Sequence, residues 1–331
     1  MKSDPTYFEG FSPPFLMGDS ITQTLLGHFS NRSPVPNHKV YQINLDDGDS
    51  LTLDIDSPEL AGSSPILMMF HGLGGCSDSS YLLSIAKLAR KESIRTVRFN
   101  HRGCGKYGRK LAKKIYHSGR IDDMLSAIKN ISQLFPKAPI FLCGFSLSGN
   151  MLLSMLAKRK DEIKKLKNVK AALAVCPPLD LEKSSIRMTL SKNKIFNIYF
   201  GRRLISELKR MEVDHNCKLI QKAIERISLR DFDEVYTAPL AGYKSRRDYY
   251  VKNSSKNVIQ NIELETKILA AKDDPIIDNT DLQTIKLPPS VSAEIQNRGG
   301  HMGFIHKVKS NKFGRRWMDF KVLNWVLTHL P

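Results

Sequence analysis

The sequence predicts an α/β fold in which helices cover both faces of a mostly parallel central sheet. Short runs that are almost wholly apolar, such as residues 65–70 and 139–144, recur along the chain. Stretches with helical periodicity separate these runs, and continuous apolar strands are typical of parallel sheets covered on both sides. We therefore expect alternating strands and helices to form one domain over residues 1–331, with one helical insertion.

The predicted elements follow an irregular stretch over residues 1–38, which contains one short predicted helix at residues 20–29. The Asp47-Gly48 pair predicts a turn between two antiparallel strands at residues 40–45 and 50–55. Further strands are predicted at residues 65–70, 94–100, 139–144, 169–176, 266–271 and 292–296. Further helices are predicted at residues 79–91, 120–135, 147–159 and 316–330.

The alternation of strands and helices stops at Pro177-Pro178 and resumes at residue 266. Between these points, residues 179–261 are helix-forming, polar and basic, and no strand is strongly predicted there. We interpret residues 179–261 as a helical cap inserted between two strands of the sheet, rather than as an independent domain.

Composition excludes several classes of function. Hydrophobic residues make up 41% and charged residues 25% of the chain, as in an ordinary globular protein. No apolar run reaches the roughly 18–20 residues that span a bilayer, and no secretory leader is visible, so we expect a cytoplasmic protein. Scattered cysteines without a C-x-x-C pair predict neither a disulfide framework nor a zinc site. They are Cys76, Cys104, Cys143, Cys176 and Cys217.

The formal net charge of +18 favours anionic partners such as nucleic acid, phospholipid headgroups or acidic substrates. No arginine-rich arm, zinc finger or RNA-binding signature accompanies the basic residues, so we expect no nucleic-acid partner. Two interpretations stay open: diffuse solubilising charge, and peripheral contact with an anionic membrane. The oligomeric state also stays open.

The stretch Gly144-Phe145-Ser146-Leu147-Ser148-Gly149 joins a predicted buried strand to a predicted helix. Small residues around a serine in this context are typical of a sharp turn that raises the hydroxyl out of a sheet as a nucleophile. Ser148 stands where glycine is usual, and its small side chain makes the departure tolerable. The alternative is a serine that only caps the following helix. We predict that Ser146 is a catalytic nucleophile.

A serine nucleophile needs a base, and the base needs an acid that orients it. His301 is the candidate base because it lies in a glycine-rich loop after a late predicted strand. Asp274 is the candidate acid because it precedes Pro275 in the turn after the preceding strand. Asp273 is expected to brace that turn, and Asp278 is a weaker alternative for the acid. The chain order of serine, aspartate and histidine is that of the α/β hydrolases.

Acyl transfer also needs hydrogen-bond donors for the developing oxyanion. We expect the backbone N–H groups of Leu147, directly after the serine, and of Leu73, in His71-Gly72-Leu73-Gly74-Gly75 after the first parallel strand. His71 is expected to hydrogen-bond within that turn rather than to act as a base. No dinucleotide, phosphate-loop or H-E-x-x-H pattern is present, so the sequence predicts neither a cofactor nor a metal.

Longer motifs carry a family resemblance. They are His71-Gly72-Leu73-Gly74-Gly75, Asn100-His101-Arg102-Gly103-Cys104, Ile115-Tyr116-His117-Ser118-Gly119, Phe232-Asp233, Thr237-Ala238, Gly242-Tyr243, Asp248-Tyr249-Tyr250, Lys272-Asp273-Asp274-Pro275 and Gly299-Gly300-His301-Met302-Gly303-Phe304. With them the chain resembles the YheT-like branch of the α/β hydrolases over most of its length. The resemblance implies an α/β-hydrolase fold and a Ser/Asp/His hydrolase acting on carboxylic esters, with some relatives acting on acyl lipids. It also suggests that His117 lines or braces the site, with a purely structural hydrogen bond as the alternative.

The residues and the resemblance together predict a serine hydrolase that forms an acyl-enzyme on Ser146. We expect short- to medium-chain acyl esters or acyl lipids as its small-molecule or lipid substrates. One alternative is an acyltransferase with the same catalytic residues, and another is a non-catalytic protein that binds a membrane surface. Four residues of the cap form either an acyl wall or ordinary helix core. They are Phe196, Tyr199, Phe200 and Leu204.

Overall fold

An eight-stranded, mostly parallel sheet lies at the centre of the structure. The computed structural model describes residues 8, 10–29, 33–114, 116–210 and 228–330. Ile115, Cys217 and the rest of residues 211–227 of the predicted insertion lie outside the described residues. The strands are β1 His38–Asn44, β2 Ser50–Asp56, β3 Ile66–Phe70, β4 Arg95–Asn100, β5 Ile140–Phe145, β6 Val169–Val175, β7 Thr266–Ala271 and β8 Val291–Gln296. Two more strands, β9 Ile305–Ser310 and β10 Gly314–Arg316, form a separate antiparallel pair that the sequence did not predict.

The order of strands in the large sheet is β1-β2-β4-β3-β5-β6-β7-β8. β1 and β2 form the predicted antiparallel hairpin, and β2 also pairs antiparallel with β4. From β4 to β8 every neighbouring pair is parallel. The predicted α/β fold with a mostly parallel sheet is therefore confirmed.

The described helices cover both faces of this sheet and also form the segment between β6 and β7. They are α1 Ser20–Phe29, α2 Ser80–Lys91, α3 Gly105–Leu111, α4 Ile121–Leu134, α5 Leu147–Lys158, α6 Lys160–Lys165, α7 Leu181–Thr189, α8 Lys194–Arg210, α9 Leu229–Phe232, α10 Ala238–Leu240, α11 Arg246–Asn253, α12 Thr280–Thr284 and α13 Trp317–Thr328. A π-helical turn spans Asp233–Thr237, and 3₁₀ turns span Ser191–Asn193, Ser255–Asn257 and Ile259–Asn261. Among the described residues, no helix is long and apolar enough to cross a membrane.

The apolar core lies in two layers, because successive side chains of a strand point to opposite faces of a sheet. In β3, Ile66, Met68 and Phe70 join one buried cluster together with residues of α4 and α5. The alternate residues, Leu67 and Met69, join a second cluster with residues of α2 and α13. All five side chains of β3 are fully buried, which explains why this strand is a continuous apolar run in the sequence.

A buried ion-pair network holds the loop after β4. The Arg102 guanidinium lies 2.6 Å from a carboxylate oxygen of Asp123, 2.7 Å from Asp49 and 2.8 Å from Asp47. These carboxylates raise the pKa of Arg102 despite its burial, so the charge is retained. Arg102 therefore ties the loop after β4 to the β1–β2 turn and to the start of α4.

Between β6 and β7, the described residues 179–210 and 228–261 are mostly helical, with short turns between the helices and no strand. Its helices share a third apolar cluster, which includes Met188, Leu204, Leu229 and Phe232. Ile276 and Ile277, from the loop after β7, complete this cluster. The helices therefore pack over the edge of the sheet at which the parallel strands end.

Candidate active site

Ser146 occupies a tight turn between β5 and α5. Its backbone φ angle of 52° is in the left-handed region, which residues other than glycine rarely adopt. Two glycines permit the close approach of strand and helix: a Cβ on Gly144 would lie 2.5 Å from the Ser148 carbonyl oxygen, and one on Gly149 would lie 3.1 Å from Pro177. The backbone N–H of Ser146 donates to Val175 at 2.8 Å, which fixes the turn against β6.

The structure brings Ser146, His301 and Asp274 together. Nε2 of His301 lies 2.9 Å from Oγ of Ser146, and Nδ1 of His301 lies 2.7 Å from Oδ2 of Asp274. Asp274 is fully buried, and its other oxygen accepts the N–H groups of Ile276 and Ile277 at 2.8 Å each. The carboxylate is thus held in one orientation, and the imidazole has one nitrogen for the acid and one for the serine.

Backbone hydrogen bonds from α1 and from the loop after β7 position His301. The N–H of His301 donates to the hydroxyl of Thr24 at 2.9 Å, and the N–H of Gly300 donates to Oδ1 of Asp273 at 3.0 Å. A Cβ on Gly300, whose φ is 58°, would lie 2.4 Å from the Ser20 carbonyl oxygen. Sequence reasoning missed Thr24, since 277 residues separate it from His301.

Among the described residues, neither Asp273 nor Asp278 forms a hydrogen bond with the imidazole of His301. Asp273 was expected to brace its own turn, whereas its Oδ1 accepts the N–H of Gly300 and so holds the His301 loop. Asp278 accepts from both the N–H and the hydroxyl of Thr280 and lies 3.9 Å from Arg187. Of the three neighbouring carboxylates, Asp274 is therefore the one bonded to the imidazole.

The loop after β3 leaves one N–H group free beside Ser146. The N–H of Gly72 donates to the hydroxyl of Tyr81 at 2.9 Å, and that of Gly74 donates to the hydroxyl of Tyr116 at 2.7 Å. Among the described residues, no hydrogen bond engages the N–H of Leu73 between them. Leu73 lines the same cavity as Ser146 and Leu147, which are the predicted nucleophile and the other predicted donor.

The hydroxyl of Ser148 joins the Ser146 turn to two buried histidines. It donates to the carbonyl oxygen of His71 and lies 2.7 Å from Nε2 of His101. Nδ1 of His71 lies 2.8 Å from the Gly72 carbonyl oxygen, as expected for a residue of the loop framework. Burial lowers the pKa of His71 to about 4 and holds the pKa of His101 well below its usual range, so both rings are neutral near pH 7.

Cys176 is a neighbour of the site that sequence reasoning did not place there. Its thiol hydrogen-bonds the Asp274 carboxylate, and burial raises the pKa of the thiol well above its usual range. Cys176, Asp274 and His301 hold potential metal-ligating atoms within 4.8 Å of one another. A metal ion bound by all three would compete with the Asp274–His301 hydrogen bond for the same side chains.

A cavity of about 700 Å³, its open mouth included, adjoins Ser146 and is lined largely by the helices between β6 and β7. Phe200 and Leu204 line this cavity, as the alternative of an acyl wall expects. Phe196 is instead buried within the helical cluster, as the alternative of ordinary helix core expects, and Tyr199 is 44% exposed and fits neither alternative. Helical periodicity does not distinguish a cavity wall from helix core, because both require apolar side chains on the inner face.

His117 both lines the cavity and makes a structural hydrogen bond. Its Nδ1 accepts the N–H of Gly119 at 3.1 Å. Burial, with Arg120 and Arg102 nearby, lowers the pKa of His117 to about 3, so the ring is neutral near pH 7. The two predicted roles of His117 are therefore compatible.

Comparisons with known proteins agree with this architecture. A family model described as the alpha/beta hydrolase fold matches residues 65–308. The chain is 31% identical to "Putative esterase YheT" of Escherichia coli, over 87% of this chain and 84% of that protein. It is 29% identical to the monoacylglycerol lipase of Saccharomyces cerevisiae over 79% of this chain, and the match spans 59% of the yeast protein.

A solved structure supports the fold independently. The esterase Pf2001 of Pyrococcus furiosus superposes with a TM-score of 0.55, covering 96% of this chain and 99% of that one at 16% sequence identity. Structural similarity at 16% sequence identity shows the fold alone, whereas the match to YheT is a match in sequence, at 31% identity. The predicted resemblance is confirmed: the chain belongs to the α/β hydrolase fold family, in the branch that contains YheT.

Proposed function

We propose that this protein is a serine hydrolase that cleaves carboxylic esters through an acyl-enzyme on Ser146. The observation that carries the proposal is the hydrogen-bonded series from Asp274 through His301 to Ser146, at 2.7 and 2.9 Å. The names of the relatives, an esterase and a lipase, point to the same substrate class.

In the first half-reaction Oγ of Ser146 attacks the acyl carbon of the ester. Nε2 of His301 accepts the serine proton, and Asp274 stabilises the imidazolium and fixes its orientation. The carbonyl oxygen becomes an oxyanion, which the N–H groups of Leu73 and Leu147 stabilise. His301 then protonates the leaving alcohol, and the acyl group stays on Ser146.

In the second half-reaction a water molecule takes the place of the alcohol. His301 removes a proton from the water, which attacks the acyl carbon, and the same N–H groups stabilise the second oxyanion. Collapse of this intermediate returns the proton to Ser146 and releases the carboxylic acid.

Residues 179–261 act in this proposal as a cap within one α/β-hydrolase domain that spans residues 1–331. Their described helices supply apolar side chains of the cavity, including Met188, Phe200 and Leu204, which fit a short- to medium-chain acyl group or one end of an acyl lipid. A cytoplasmic location and contact of the basic surface with an anionic membrane stay predictions from the sequence.

Labelling with a fluorophosphonate, together with turnover of p-nitrophenyl esters of increasing acyl length, tests the proposal. We expect covalent labelling and hydrolysis in the wild-type protein, and loss of both in Ser146→Ala. Ser154→Ala is a matched control, because Ser154 lies on the same helix and its buried hydroxyl has no hydrogen-bond partner among the described residues. Labelling or turnover that persists in Ser146→Ala would contradict the proposal.

A further inference from the structure

We propose that the cavity selects esters whose alcohol part carries free, uncharged hydroxyl groups, and that Asp233 and His117 bind those hydroxyls. The inference rests on the proposed ester hydrolysis and names the substrate class of that site. It starts from a carboxylate that lines the cavity and that the proposed chemistry does not use.

The cavity has chemically different ends. Leu73 packs with the apolar cluster that includes Met188, Leu204 and Ile277. Leu147 packs against the main core of the sheet and also against a smaller cluster that includes Tyr249 and Tyr250, whose hydroxyls are polar. Since both leucines adjoin Ser146, a bound ester can place an acyl chain in the apolar end and its alcohol part in the other.

Asp233 is linked to this smaller cluster through Tyr250 and retains unused acceptor capacity. Its side chain is only 7% exposed, and its Oδ2 accepts the hydroxyl of Tyr250 at 2.7 Å. The hydroxyl of Thr237 also hydrogen-bonds this carboxylate. An ionised carboxylate can accept about four hydrogen bonds, so acceptor positions remain for a ligand.

The charges around Asp233 favour a neutral ligand. Burial raises the pKa of the Asp233 carboxyl, and the positive charges of Arg246 and Arg230 both act to lower it. Each arginine forms its ion pair with another residue: Arg230 with Glu182 at 2.8 Å, and Arg246 with Glu234 at 3.5 Å. No described ion pair reaches Asp233 itself. The two guanidinium groups would repel an alcohol part that carries a positive charge, and the carboxylate would repel one that carries a negative charge. An uncharged hydroxyl is repelled by neither.

His117 supplies the complementary donor. Because Nδ1 accepts the N–H of Gly119, the proton of the neutral ring is on Nε2. Among the described residues no hydrogen bond occupies Nε2, and His117 lines the same cavity as Asp233. A fixed donor and a fixed acceptor in one cavity match a hydroxyl group, which both accepts and donates.

Aromatic rings connect the two groups. The ring of His117 lies 6.0 Å from that of Tyr249, which lies 5.4 Å from that of Tyr250. Tyr250 in turn donates to Asp233. His117 and Asp233 therefore belong to one continuous wall, along which the hydroxyls of a small polyol such as glycerol can be bound.

The test compares three esters of one medium-chain acid: the 1-monoacylglycerol, the propyl ester and the choline ester. The propyl ester keeps three alcohol carbons without the free hydroxyls, and the choline ester carries a cation. We expect the wild-type kcat/KM for the monoacylglycerol to exceed that for each of the other two by at least about tenfold, because a site built to bind a hydroxyl rejects analogues that lack it.

In Asp233→Asn the ratio of kcat/KM for the monoacylglycerol to that for the propyl ester should fall to near one, because the amide replaces one acceptor oxygen with a donor. Phe200→Leu, at the apolar end, is the matched control and should lower both values while keeping their ratio. A ratio unchanged in Asp233→Asn would overturn the inference.

If Asp233→Asn fails to fold, the wild-type protein alone still tests whether the cavity selects esters with free hydroxyls in the alcohol part. A wild-type ratio near one, or faster cleavage of the choline ester, would overturn this inference and leave the proposed function intact. Absence of Ser146-dependent cleavage of all three esters would overturn the proposed function as well.

Discussion

Oγ of Ser148, two residues after Ser146 in the chain, lies 2.7 Å from Nε2 of His101. The same hydroxyl donates to the carbonyl oxygen of His71. His71 follows β3 and His101 follows β4, so one buried hydroxyl joins the ends of three neighbouring strands. The serine that stands at a usual glycine position is therefore a structural connection at the edge of the sheet, and the loop that it holds carries Leu73.

Replacing Ser148 with alanine should destabilise the protein by about 2–6 kcal/mol, since two buried polar groups lose their partner and each costs about 1–3 kcal/mol. The groups left unpaired are the His71 carbonyl oxygen and His101 Nε2. Urea unfolding measures the loss. Ser154→Ala on the same helix should change the free energy of unfolding by less than about 1 kcal/mol, because no partner is lost. Equal losses in the two variants would contradict this role of Ser148.

Tyr81→Phe should lower kcat by about tenfold with little change in KM. The hydroxyl of Tyr81 holds the N–H of Gly72, next to the Leu73 donor, and loss of a whole oxyanion donor costs about 10²- to 10³-fold. A donor that is only misplaced should cost less than this. Steady-state kinetics on one p-nitrophenyl ester measures the effect. Tyr107→Phe, which removes a half-exposed hydroxyl on α3, should leave both constants unchanged, and an effect confined to KM in Tyr81→Phe would refute the prediction.

Asp274→Asn should lower kcat by about 10³- to 10⁴-fold, because an amide no longer holds the imidazole in the required tautomer. Asp273→Asn should lower kcat by less than about tenfold, since its amide oxygen can still accept the N–H of Gly300. The pair of neighbouring variants, assayed on one ester, distinguishes the acid from the residue that braces its loop. Reversed magnitudes would assign the acid to Asp273.

Asp233 should make stability depend on pH between about 4 and 6. Burial raises the pKa of Asp233 from 3.8 to about 6, although the hydroxyls of Thr237 and Tyr250 and the charges of Arg246 and Arg230 oppose the rise. The native state therefore binds the proton more tightly, and this group destabilises the protein above pH 6 relative to pH 4. A rise of about two pKa units corresponds to about 3 kcal/mol.

In Asp233→Asn that dependence is absent, so the variant should gain stability relative to wild type by up to about 3 kcal/mol as the pH rises from 4 to 7.5. Unfolding by urea at several pH values measures the difference, and acid effects common to both proteins cancel. Asp161→Asn, which changes an exposed carboxylate on α6, should show no such trend. A difference independent of pH would mean that the pKa of Asp233 is not raised.

The parts of the site that the sequence predicted are local in the chain. Ser146 and His301 each lie in a short motif with glycines that can be recognised in the sequence, and the structure has room only for glycine at Gly144 and Gly300. The parallel sheet then follows from apolar runs, and it places the ends of β5, β7 and β8 along the same edge. For this reason Ser146, Asp274 and His301 could be grouped before their distances were known.

The residues that sequence reasoning missed depend on contacts between distant parts of the chain. Thr24 bonds to a loop 277 residues away, and Tyr81 and Tyr116 reach the glycine loop only once the helices are packed. Asp233 lies in a short motif of the predicted cap, but its burial and its place in the cavity follow from how the helices fold over the sheet. For the same reason helical periodicity could not decide between cavity wall and helix core for Phe196, Tyr199, Phe200 and Leu204.

The central claim is that an acyl group passes through Ser146, and trapping that intermediate tests it most directly. A p-nitrophenyl ester is mixed with the protein and quenched in acid within the first turnover, and the digested protein is mapped by mass spectrometry. We predict a burst of p-nitrophenol of about one equivalent, with the acyl mass on the peptide that contains Ser146. Turnover without any acylated peptide, or an acyl group on another residue, would contradict the claim.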